Sequence, residues 1–145
     1  MKKIVVSGSG KCREKIDELI KRLSAFYDVL NYPKDISKEK FLELYPHIHK
    51  EFYENIVKTD VFLLFNYDKD ETAGYIGAAG FAEMCFAISQ NQLSNKNIEI
   101  FIYKMPDKKV QCYDEINLYL QLGWIKLWNK SKQEEQNGQN CIGNK

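Results

Sequence analysis

Histidine is almost missing from this chain: His47 and His49 are its two copies. With no third ligand in view, two such residues fit surface or capping roles better than a metal site. Cysteine is sparse too. Cys12, Cys85, Cys112 and Cys141 are scattered, with no C-x-x-C pair and no histidine–cysteine cluster. That pattern offers neither a zinc motif nor a disulfide framework, and it fits reduced thiols in a cytoplasm. No charge of one sign dominates either: 21 basic and 20 acidic residues are interspersed, for a formal charge of +1. Such a balance gives no electrostatic footprint for a nucleic acid or an anionic membrane surface. Long apolar runs are absent, and none approaches the ~18 residues of a membrane span. Met1-Lys-Lys3 followed by Ile4-Val-Val6 is too short for the apolar core of a signal peptide and reads as a first strand.

What is present points to one folded domain. The 145 residues are 44% apolar and 13% aromatic, enough for a sizeable core. Lys3–Ser7 is a short buried strand broken by Gly8-Ser-Gly10, and residues 11–24 carry Cys12, Ile16, Leu19, Ile20 and Leu23 at helical spacing. Backbone amides at such a turn can hold an anion. The turn nevertheless lacks the third glycine of a dinucleotide fingerprint and the Ser/Thr of a P-loop. It serves a phosphate or ribose, or is simply a tight turn. Phe26–Leu30 predicts a second strand. Ser37 can cap a helix in which Phe41, Tyr45, Ile48, Phe52 and Ile56 recur, with Pro46 marking a kink or a join. Val61–Phe65 has the composition of a fully buried strand, 97–103 of a fourth, 114–120 of a short helix and 124–128 of a last strand. Residues 130–145 have no apolar period and read as a mobile polar tail, leaving 1–129 as the domain. Strands alternating with helices predict an α/β fold: a flavodoxin-like or Rossmann-like three-layer sandwich on a five-stranded, largely parallel sheet.

The most informative stretch follows the third predicted strand. A glycine-containing loop, 66–80, feeds a helix whose second turn holds one acid, Glu83, on a stripe of small residues formed with Ala79, Gly80 and Ala87. In an open parallel sheet ligands bind at the carboxyl ends of the strands, where this loop and Gly8–Gly10 would lie side by side. The helix dipole there favours an ionised carboxylate. Such a group suits attack on an anomeric carbon. Equally, Glu83 could cap its own loop.

Asp60-Val-Phe-Leu-Leu-Phe-Asn66, followed by Gly74-Tyr-Ile-Gly-x-x-x-Phe-x-Glu83-Met-x-Phe-Ala, resembles the core of the nucleoside 2-deoxyribosyltransferase superfamily, in particular its small members. The likeness extends over most of residues 3–128, and Asp114-Glu-Ile fits how those members end. It implies cleavage of the N-glycosidic bond of a (deoxy)nucleoside or nucleotide, with Glu83 as nucleophile and transfer of the (deoxy)ribosyl group to another base or to water. It also implies a homodimer or higher homo-oligomer with active sites near subunit contacts. Ser7, Gly8, Ser9 and Gly10 would hold a phosphate or sugar hydroxyl, and Asn66, Tyr75 and Gly77 would shape the sugar and base pocket. Displacement of this kind needs no metal and no cofactor.

Six positions depart from the family pattern. Gly77 stands where the transferases carry an acid, and Phe52 falls near their helical aspartate, with Glu51 and His49 close by. Ser7 and Ser9 replace a first-loop tyrosine, and Ala79-Gly80 an Asn-Thr pair. The leaving base would then draw its proton from Asp68, Asp70, Glu71, a histidine or a neighbouring subunit. Two other functions fit the same residues: a nucleotide-sensing domain without turnover, and a nucleoside 5′-monophosphate hydrolase.

Overall fold

The computed structural model describes residues 1–135; the rest of the expected tail, 136–145, lies outside the described residues. Five strands form one sheet: β1 (Lys3–Gly8), β2 (Asp28–Asn31), β3 (Val61–Phe65), β4 (Glu99–Ile102) and β5 (Lys126–Leu127). Every neighbouring pair is parallel, in the order β2-β1-β3-β4-β5. This is the flavodoxin-like arrangement, and its topological switch lies between β1 and β3.

Parallel strands need crossovers, supplied here by α1 (Arg13–Leu23), α2 (Lys38–Lys58), α3 (Ala78–Leu93) and α4 (Tyr113–Gln121). Alternate side chains of each strand enter opposite cores. Ile4, Val6, Leu63 and Phe65 pack with Ile16, Leu19 and Leu23 of α1. Val5, Phe62, Leu64 and Ile102 pack with Phe52 of α2, Met84 of α3 and Ile116 of α4. The outcome is a three-layer sandwich. β3 is buried along its whole length, as a central strand covered on both faces must be.

Several boundaries differ from the sequence expectation. β2 starts at Asp28 because Phe26 and Tyr27 still donate their amides to Leu23 at the end of α1. α2 runs unbroken through Pro46. The missing amide of Pro46 would have met the carbonyl of Leu42, and Leu42 is 86% exposed, so water can take that bond. Ser37 does precede α2, but its hydroxyl makes no capping bond; the Lys40 amide donates to its carbonyl instead. β5 shrinks to two residues, with Trp124 stacked on Tyr119 and Trp128 buried in the α1-side core.

Beyond the boundary expected at residue 129 the chain is still ordered. Ser131–Glu135 forms a short π-helical turn over the α1 side of the sheet. Glu134 is buried, accepting hydrogen bonds from Trp128 Nε1 (3.1 Å) and Arg22 Nε (3.2 Å), while the Tyr27 hydroxyl donates to the Gln133 carbonyl. A carboxylate is an unlikely anchor to read from a hydropathy pattern, yet two donors make it a strong one. Glu134→Ala is expected to cost about 2–3 kcal/mol, because it leaves the buried indole N–H without an acceptor. Urea unfolding followed by tryptophan fluorescence reads that loss directly.

Candidate active site

Two close approaches build the site. At the end of β1, Gly8 pairs with Phe65 of β3, and a Cβ on Gly8 would stand 2.8 Å from the Phe65 carbonyl oxygen. Only glycine allows the two strand ends to meet there. On α3, a Cβ on Gly80 would lie 3.0 Å from Leu64 Cδ1 and 3.7 Å from Ser7 Oγ. The missing side chain lets α3 settle onto the ends of β1 and β3. Glu83, nearly one turn further along, thereby reaches Ser7: Ser7 Oγ donates to Glu83 Oε1 at 2.6 Å.

Ser7 is fully buried and lines neither of the two hollows described below; its hydroxyl donates to the carboxylate. Glu83 is part-buried, and its other oxygen carries no hydrogen bond among the described residues. Burial pushes its pKa up from 4.5 to about 6, partly offset by the Ser7 hydrogen bond. Glu83 lies in the second turn of α3, where the influence of the helix dipole fades.

A raised carboxyl pKa has a defined sign in stability. The folded chain holds the proton more tightly than the unfolded one between pH 4.5 and about 6, so stability falls as pH rises through that window. The penalty is absent below the window and complete above it, at about 2 kcal/mol. Glu83→Gln removes the titrating group and should raise stability above pH 6 by about 1–2 kcal/mol, with little gain at pH 4. Thermal melts at the two pH values check this.

Glu83 faces a hollow of about 200 Å³, lined also by Gly8, Gly10, Tyr32, His49 and Phe52. A second hollow, about 220 Å³, is lined by Ser9, Tyr67, Lys69, Tyr75 and Gly77. Gly8 and Ala79 border both, so the two form neighbouring chambers at the carboxyl ends of β1 and β3. Of the residues singled out by sequence, Glu83, Gly8 and Gly10 meet in the first chamber, and Gly8, Ser9, Tyr75 and Gly77 in the second. In the second chamber Lys69 Nζ stands 4.7 Å from the centre of the Tyr75 ring, a cation–π contact.

Asn66 lines neither chamber. It is 1% exposed, and its amide is spent on the main chain: Nδ2 donates to the carbonyls of Gly74 and Lys104, and Oδ1 accepts from the amides of Tyr103 and Lys104. It ties the loop after β3 to the end of β4. Asp68 is also committed, bonded to Lys104 Nζ (2.7 Å) and to the Gly74 amide, and Lys104 holds its pKa below the usual carboxylate range. Asp68, Asp70 and Glu71 lie outside the Glu83 chamber, whereas His49 and Glu51 line it.

Tyr45, His49 and Phe52 of α2 form an aromatic wall of that chamber; Phe52 is buried, Tyr45 and His49 are exposed, and the row opens towards Glu83. The helical spacing was the available signal. A larger hollow, about 390 Å³, lies around Trp124 and Lys126 at the start of β4, distant in the fold from Glu83. Among the described residues no three His, Cys, Asp or Glu side chains gather as a metal-binding group, and no helix is long and apolar enough to cross a membrane.

No protein-family model matches the chain, and no curated protein matches it in sequence. Among solved structures it is similar to the Clostridium botulinum CMP N-glycosidase BcmB, with 19% identity and a TM-score of 0.47 over 97% of this chain and 99% of that one.

Proposed function

We propose that this protein breaks the N-glycosidic bond of a (deoxy)nucleoside or nucleotide, with Glu83 as the nucleophile. The observation that carries the reading is the Ser7–Glu83 pair: a carboxylate held by one oxygen at 2.6 Å, at the strand ends, facing an aromatic-walled hollow. The second oxygen attacks the anomeric carbon, the C–N bond breaks, and its electron pair leaves with the base. The glycosyl ester then passes to an acceptor base, or to water. With a pKa of about 6 the carboxyl is mostly ionised at neutral pH, yet more basic than an exposed glutamate. The likeness of residues 60–88 to the deoxyribosyltransferase core supports the same chemistry.

The hydrolytic form of the reaction has support of its own. Lys34 borders the Glu83 chamber and Lys69 the second, so a cation stands at each beside the Gly8–Gly10 turn. That placement suits a substrate carrying a 5′-phosphate.

The test is a mass-spectrometric screen of pooled nucleosides and nucleoside 5′-monophosphates, with and without free acceptor bases. Base release without an acceptor assigns hydrolysis, and exchange that requires one assigns transfer. No turnover, with a nucleotide still raising the melting temperature, would replace this reading with that of a sensing domain.

A further inference from the structure

We infer that His49 is the acid that protonates the departing base, a role resting on the glycosidic reading of Glu83. By the resemblance to the deoxyribosyltransferases, Gly77 stands where they carry an acid, and Phe52 falls near their helical aspartate. The structure narrows the substitutes. Asp68 is bonded to Lys104, and neither it, Asp70 nor Glu71 lines the Glu83 chamber. His47 is not part of that lining; 82% of its side chain is exposed and its imidazole lies 3.8 Å from Glu51. His49 lines the same 200 Å³ hollow as Glu83.

Its ring is held in place. Residues 45, 49 and 53 follow one another at four-residue spacing and stand in a row along α2. Tyr53 stacks on the imidazole at 4.3 Å and 21°, and Tyr45 leans on it from the other side at 5.7 Å. Tyr53 in turn packs on Phe86 at 4.8 Å, three residues beyond Glu83 on α3. The row therefore fixes the imidazole relative to the helix that bears the nucleophile. Burial, then the nearby Glu83 carboxylate, raises the Tyr53 phenol pKa, which places that ring within the field of the same charge.

Histidine is the side chain able to give and take a proton near neutral pH. In the first half-reaction Glu83 forms a bond to the anomeric carbon, the C–N bond breaks, and the proton of the imidazolium passes to the leaving nitrogen. In the second, the neutral imidazole takes a proton from water or the acceptor base as that group attacks the anomeric carbon, and the Glu83 carboxylate is released. The charged and titratable groups lining the hollows beside His49 are Tyr45, Glu51 and Tyr53 on its own helix, Glu83 on α3, and Tyr32 and Lys34 on the loop after β2; Lys50 and Glu54 border its outer side.

The experiment compares wild type, Glu83→Ala and His49→Ala on the pooled nucleosides and 5′-monophosphates, with thermal melts to confirm folding. His49 is exposed on a helix, where alanine is well tolerated. The expected result is a fall in kcat of about 10²–10⁴-fold in His49→Ala, little change in KM, and recovery of part of the rate on adding free imidazole. The alkaline limb of the wild-type pH profile should disappear in the variant. Full activity of His49→Ala beside an inactive Glu83→Ala overturns the inference and leaves the nucleophile standing. So does a loss confined to KM, or one that imidazole does not relieve, since either marks a packing role. Absence of turnover in wild type overturns the glycosidic reading and this role with it.

Discussion

Glu83→Ala should lower base release from a nucleoside or nucleotide by about 10³–10⁶-fold, the scale on which losing a covalent nucleophile acts. The loss should fall on kcat, because the carboxylate's bond to the anomeric carbon exists only along the reaction path. In wild type the rate should fall on acidification through about pH 6, since only the ionised carboxylate attacks and burial holds its pKa there. The fold should survive: the cost of leaving the buried Ser7 hydroxyl without its acceptor is offset by removing a carboxylate whose burial is itself costly. Kinetics across pH 4.5–8 on a substrate found in the screen would decide the matter. A variant within a few-fold of wild type would reduce Glu83 to a loop-holding residue.

The largest structural loss is expected at Asn66. Replacing it by alanine removes a side chain that both donates to two carbonyls and accepts from two amides, at the end of β4 and in the loop after β3. The backbone of Tyr103 keeps a second bond, since its amide also donates to the Leu64 carbonyl, so the strand end is loosened and not freed. A cost of about 3–4 kcal/mol follows from the lost bonds and the polar groups left behind, near a 10 °C drop in melting temperature for a chain of this size. Asn66→Asp should do nearly as badly, because a carboxylate cannot donate to the Gly74 and Lys104 carbonyls. Calorimetry on both variants reads the effect. A melting temperature within 2–3 °C of wild type in Asn66→Ala would show that the loop holds itself.

The same residue shows where sequence reasoning stops. A polar side chain just past a buried strand can serve a ligand or the loop, and the choice is made by Tyr103 and Lys104, which arrive from a strand formed 37 residues later in the chain. β3 could be read outright because five buried apolar residues in a row admit little else. Glu83 stood out as an acid among alanine and glycine. Its partner Ser7 was noticed for its glycine neighbours and assigned a different duty, since nothing local announces a contact between β1 and α3. The turn at 131–135 was missed for a related reason: a buried glutamate and a backbone carbonyl hold it, and neither leaves an apolar period.

The parallel order of the sheet also sets a timetable. The serine and glutamate of the site are 76 residues apart, and no hairpin brings them together early. Loop closure over such a distance waits for β1 and β3 to pair and for α3 to dock behind them. A nascent chain that has not yet released residue 83 into the open therefore has no site of any kind. The carboxylate and the serine that restrains it meet in the same event, so activity arising at this pair during refolding would report completion of the central sheet.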